Sequence, residues 1–211
     1  MHHDESLHAF YAWELAFGQG YQHNPMMHGP LQMEAIALVF KIFGDSDFTA
    51  RFLHALLGSL LVFLPYFFRS KLGNLGAIFS ACLIAISPSL LYFSRFARND
   101  IIVVFLTLSL VVVIWNYIDS GKRRNLYLIS LITSLLFCTK ETSYMIVFSL
   151  GVYLFFGLFI NNYRFFFNLS SQNSKNEKTI INKCKIALLA LGSIVTREDI
   201  SRYKTLMFLM L

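Results

Sequence analysis

Residues 101–118 read IIVVFLTLSLVVVIWNYI, a run without a single charged side chain. A helix crossing the hydrocarbon core of a bilayer needs about 17–25 mainly apolar residues, so this stretch is long enough to span. Working outward, further apolar runs lie at Phe52–Phe68, Leu75–Phe93, Leu126–Cys138 and Ser143–Ile160. Leu126–Cys138 is short and needs its polar flanks to complete a crossing. The chain as a whole is 56% hydrophobic and 14% charged, where soluble domains carry about 25% charged residues. The expected fold class is therefore all-α: a polytopic membrane protein of about five transmembrane helices, with interfacial amphipathic helices in a first outer loop.

Loop charge sets the orientation. Arg69 and Lys71 follow the first run, and Lys122, Arg123 and Arg124 follow the third. Arg164, Lys175, Lys178, Lys183 and Lys185, against Glu177 alone, follow the fifth. If every run spans, these loops share one side, which the positive-inside rule makes cytoplasmic. The opposite side receives Asp45, Asp47, Asp100 and Glu141 with Arg51, Arg95, Arg98 and Lys140. The chain is thus expected in the cell membrane as a multi-pass protein, with its acidic motifs extracytoplasmic. The net charge of +6 is spread over short loops rather than one stripe, which argues against a nucleic-acid partner.

The flanks read differently. In Ser6–Phe17, the residues Leu7, Phe10, Tyr11, Trp13 and Phe17 recur at helical spacing, and Trp and Tyr favour a membrane interface. His28–Phe43 is apolar but short and holds Glu34 and Lys41, which places it in the interface rather than across the bilayer. The resulting scheme has an outer loop with two interfacial helices (1–48) and a five-helix membrane part (49–160). A polar, basic cytoplasmic linker (161–185) and an incomplete helical segment (186–211) follow. Asn168-Leu169-Ser170 has the glycosylation pattern but falls on the cytoplasmic side. Cys82, Cys138 and Cys184 show neither zinc spacing nor a disulfide framework and read as small apolar residues. The polar, His-rich N-terminus does not read as a cleavable signal peptide.

Charged groups gathered at one membrane face, beside spans with no Asp, Glu, Lys or Arg in their interiors, point to chemistry on a lipid-borne substrate. They point away from a transporter with midplane polar sites. The segments concerned are His2-His3-Asp4-Glu5-Ser6-Leu7-His8-Ala9, Met27-His28-Gly29-Pro30 and Ser94-Arg95-Phe96-Ala97-Arg98-Asn99-Asp100. Together they resemble a prokaryotic family of glycosyltransferase-39-like proteins, named for the flippase-activity-associated proteins of archaeal-type protein N-glycosylation. From Met1 to Ile160 the order and content resemble polytopic glycosyltransferases of the GT-C type. His28-Gly29-Pro30-Leu31, Phe40-Lys41-Ile42-Phe43-Gly44 and Ala50-Arg51 are similar to the segment after the acidic loop in aminoarabinose- and mannosyl-transferase relatives. Thr139-Lys140-Glu141 is similar to their Thr-Lys-Gly at a helix end.

The resemblance implies transfer of a sugar from a polyprenyl- or dolichyl-phosphate donor to a glycan, lipid or protein acceptor outside the membrane. Under it, Asp4 is the catalytic carboxylate, Glu5 its neighbour and Asp100 the second outer acidic position. Lys140 and Arg95 or Arg98 contact the donor phosphate, and His28 stands where many relatives carry Lys. The residue types suit this chemistry, since a carboxylate can take the acceptor hydroxyl's proton and cations stabilise charge growing on a leaving phosphate. Plainer roles stay open for each. Asp4 fits a helix N-cap, Asp100 a solvated carboxylate paired with Arg98 or Arg95, and Lys140 a snorkelling side chain. His2, His3 and His8 are of a type that binds divalent metal, yet their spacing matches no defined site. No cofactor is assigned, and a divalent metal stays open.

A non-catalytic partner in lipid-linked glycan flipping or export is the competing function. Members of the resembled family have a helix before the acidic loop and more membrane helices after it. The expectation is therefore the front part of a catalytic module, incomplete at both ends and inactive alone.

Overall fold

The computed structural model describes residues 3–18 and 28–171, without the side chains of Asp4, Leu158 and 160–171. Among the described residues every regular element is a helix. In chain order they are α1 (His3–Phe17), α2 (Leu31–Phe43), α3 (Asp47–Leu61), α4 (Leu64–Phe67), α5 (Arg69–Ile86), α6 (Pro88–Ser94), α7 (Asn99–Ser120), α8 (Arg123–Phe137) and α9 (Thr142–Ser171).

The boundaries follow from local chemistry. Before α3, the Ser46 hydroxyl accepts from the Thr49 N–H at 3.2 Å and the Thr49 hydroxyl accepts from the Ser46 N–H at 2.9 Å. This reciprocal capping box satisfies two backbone donors that the first turn would otherwise leave open. Gly73, at φ 74°, breaks α5 in the left-handed region where a Cβ is costly. Pro88 opens α6, and the α5–α6 pair bends by 62° there, because proline removes a ladder donor and clashes with the preceding turn.

Asp47–Phe67 and Asn99–Ser120 are long and apolar enough to cross a membrane. The bent pair Arg69–Ile86 with Pro88–Ser94 makes a third if it is one broken span. These match the first three expected runs and give an all-α membrane protein. The other two runs are helical as well. α8 has 15 residues, which at 1.5 Å rise per residue falls short of a core about 30 Å thick. α9 runs for 30 residues, Thr142–Ser171, and takes in the whole expected run Ser143–Ile160.

The chain divides into two compact units, one of Met1–Ile114 with Tyr127–Ile146, the other of Trp115–Leu126 with the chain from Val147 on. In the first, α1, α2 and α3 meet around Ala12, Ile36, Ala37, Phe40 and Ala50, with Ala9, Leu15 and Ala16 packed against them. α1 presents its faces the opposite way round from a water-soluble helix. Its small residues turn inward, while Leu7, Phe10, Trp13 and Phe17 are exposed. Alanines let the helices approach closely, and the aromatic face is left to an apolar or interfacial medium. α2 buries Met33, Ile36, Ala37 and Phe40 and leaves Leu38, Ile42 and Phe43 exposed. Cys82 and Cys138 are free and exposed, not packed as the sequence suggests, and Cys184 lies outside the described residues. In the second unit, the basic turn around Gly121 is closed by Asn125 Nδ2 donating to Ser120 Oγ at 3.1 Å.

Candidate active site

The site grows from one stripe of α1. Glu5, His8 and Ala12, spaced for a single helical face, are all buried. Arg51 stands one turn into α3, behind the Ser46 cap. Its Nε donates to Glu5 Oε1 at 3.0 Å and its terminal Nη2 to Glu5 Oε2 at 2.7 Å. This is the two-pronged guanidinium–carboxylate pairing that fixes geometry as well as charge. Glu5 Oε1 also accepts from the backbone N–H of Ala97 at 3.0 Å. With 1% of its side chain exposed, Glu5 joins α1 to α3 and to the link between α6 and α7.

That link, residues 95–98, runs outside any helix. The Arg98 N–H bonds the Phe96 carbonyl at 2.8 Å, and the buried Gln32 of α2 donates its Nε2 to the Ala97 carbonyl at 2.9 Å. α7 begins immediately afterwards, which puts Asp100 in its first turn, where the helix dipole favours a carboxylate. Asp100 Oδ1 accepts from Lys140 Nζ at 3.1 Å, and Asp100 Oδ2 lies 3.6 Å from Arg98 Nε. All three side chains are partly exposed, and the group carries one net positive charge.

Lys140 is held by the end of α8. Thr139 Oγ1 and Ser143 Oγ both donate to the Leu136 carbonyl at 2.6 Å. Onto this end docks the segment opening α2. The Gly29 N–H donates to the Thr139 carbonyl at 2.9 Å and the Leu31 N–H to the Cys138 carbonyl at 3.1 Å. The approach is so close that a Cβ on residue 29 would sit 2.1 Å from the Cys138 oxygen, so only glycine fits. Beside it, His28 adopts φ 60° and its Nδ1 lies 2.9 Å from Glu141 Oε2. Glu141's own backbone N–H, then His28, hold its carboxyl below the usual value.

The structure thus gathers Glu5, His28, Arg98, Asp100 and Lys140 into one unit. Arg95 is exposed at the end of α6 and joins no carboxylate among the described residues. α1 starts at His3, so Asp4 lies within its first turn rather than before it as an N-cap. The side chain of Asp4, and all of His2, lie outside the described residues. His3 is exposed and His8 buried on a different face of α1, and among the described residues no three His, Cys, Asp or Glu side chains are placed to hold a metal ion.

Arg51, Gln32 and Glu141 are the participants that sequence reasoning left out of the site. Arg51 carried a signal, the Ala50-Arg51 pair of the resemblance. Gln32 carried none, being one polar residue in an apolar stretch.

The sequence model of the family described as dolichyl-phosphate-mannose-protein mannosyltransferase matches residues 27–170, more than half of the chain. No curated protein and no solved structure matches it. The match takes in His28, Arg51, the 95–100 segment and Lys140, and begins after α1.

Proposed function

The chain belongs to the dolichyl-phosphate-mannose-protein mannosyltransferase family, and on that premise we propose that it serves transfer of a sugar from a polyprenyl- or dolichyl-phosphate carrier to an acceptor hydroxyl on the extracytoplasmic face of the cell membrane. Asp4 takes the proton from the acceptor hydroxyl. The freed oxygen attacks the anomeric carbon, and the bond from that carbon to the phosphate oxygen breaks with its electron pair passing to the phosphate. Lys140 and Arg98, with Arg95 nearby in sequence, receive the growing phosphate charge. Asp100 keeps the two cations apart from one another and leaves one positive charge for the donor. Glu5 is the anchor that holds the acidic helix to Arg51.

The observation that carries this reading is the Glu5 bridge. It ties α1, which bears Asp4, to Arg51 and to the segment leading into Arg98 and Asp100, both inside the family match. The narrower likeness to flippase-activity-associated proteins of archaeal-type N-glycosylation makes a lipid-linked glycan pathway the setting. The topology belongs to the same proposal, with the acidic motifs outside and residues 161–185 in the cytoplasm.

The test is Asp4→Asn in native membranes supplied with labelled dolichyl-phosphate mannose. Transfer should disappear while the amount of inserted protein stays unchanged. Full transfer by the variant would remove Asp4 from the reaction. Glycan export that persists without any transfer by the wild type would instead make the chain a non-catalytic partner.

A further inference from the structure

We propose that Gln32 is a positioning residue of the reaction, fixing Arg98 and Asp100 relative to the acidic helix by holding the backbone at Ala97. The proposal rests on the transferase reading above. Residues 95–98 lie between two helices; the Arg95 N–H reaches back to the Tyr92 carbonyl and the Arg98 N–H makes a tight turn bond to Phe96. At Ala97 the backbone is fixed from two sides as well. Glu5 accepts the N–H of Ala97, and Gln32 donates to its carbonyl, so both peptide groups flanking Ala97 are bound to side chains from distant helices.

Gln32 is fully buried, on the same inward face of α2 as Met33, Ile36, Ala37 and Phe40. An amide in such a stripe is costly unless it is bonded. Its Nε2 is bonded, across 65 residues of chain, to a group two positions from Asn99 and three from Asp100. The next peptide leads straight into Arg98, whose guanidinium faces Asp100. A small rotation of the Ala97 carbonyl therefore displaces the phosphate-facing cation, and misplacement on the order of 1 Å costs about a hundredfold in rate when a group must meet a reacting atom.

A merely structural glutamine and a positioning one predict different pH behaviour. Gln32→Met keeps the volume and removes the donor. Gln32→Glu keeps a donor only while its carboxyl is protonated. Once ionised, it sets a negative charge against the Ala97 carbonyl and near the charge of Glu5. The experiment measures kcat/KM for dolichyl-phosphate mannose across pH, per inserted molecule, in native membranes. Gln32→Met should fall about tenfold at every pH, the worth of one buried hydrogen bond. Gln32→Glu should approach the wild type at low pH and decline with rising pH along a limb the wild type lacks. Wild-type values for both variants at all pH would overturn the proposal.

Hydrogen exchange at the Ala97 and Arg98 amides, on the same variants, separates this from failure of the transferase reading. If the wild type transfers nothing, that reading falls. Faster exchange in Gln32→Met would still support the positioning contact, and unchanged exchange would overturn it.

Discussion

Replacing Arg51 by Met tests the contact on which the site is built. Glu5 is buried to 1% exposure, while Arg51 keeps 40% of its side chain exposed. Breaking a fully buried pair costs about 3–5 kcal/mol, because the surviving charge is left in a poor medium. Here the guanidinium end is screened by solvent, so the loss should be smaller, about 2–3 kcal/mol. Each kcal/mol lowers the unfolding temperature of a chain this size by about 2–4 °C, which sets the expected drop near 5–10 °C.

The size of the drop should depend on pH. Without its cation, the Glu5 carboxyl in this environment escapes by taking up a proton. The folded variant then binds more protons than its unfolded chain, so its stability falls as pH rises. Helix circular dichroism during heating in detergent, at pH values on either side of neutrality, reads both effects. The double variant Glu5→Gln with Arg51→Met should recover most of the loss, since Gln still accepts from Ala97 and carries no charge. A shift below about 2 °C, equal at all pH and not recovered in the double variant, would refute the reasoning.

Further outcomes follow from the same geometry. Gly29→Ala forces a methyl against the Cys138 carbonyl and should cost about 2–3 kcal/mol, an overpacking penalty that backbone atoms cannot relieve; a neutral effect on thermal unfolding would show that the 28–31 segment is not docked there. Lys140→Met removes one of the two cations on Asp100 and should raise the KM for the lipid-phosphate donor about tenfold, the worth of one charge-assisted hydrogen bond; an unchanged KM would take Lys140 out of donor binding. The lowered carboxyl of Glu141 contributes stability present above its unfolded value of 4.5 and lost as pH falls through the folded one. Glu141→Gln should therefore be less stable than the wild type near neutrality and equal to it in strong acid. A difference that persists unchanged at low pH would contradict the His28–Glu141 contact.

The helices, their order and the long apolar runs among them were readable because they rest on length and hydropathy. Ile101–Ile118 needs no partner to declare itself a span. Helicity satisfies its backbone internally wherever it lies in the bilayer. The two short helices that precede the first span were also readable. The large residues of α1 recur at helical spacing and stay exposed, as an interfacial face would, while Ala12 is buried against α2 and α3. α8 is as short as its apolar run, and α9 takes in the whole of Ser143–Ile160.

By itself, then, the sequence determined an all-α membrane chain, the three charged segments, and the residue types suited to a lipid-phosphate donor. These are properties of composition and of spacing along one helix at a time. Only the tertiary structure decided that Glu5 is consumed by Arg51 and Ala97, that Lys140 rather than Arg95 meets Asp100, and that Gln32 belongs to the site. Those pairings join residues 40 to 92 positions apart. Which distant donor meets which buried acceptor is set by how the helices pack, since a buried polar group must find a partner wherever packing brings one.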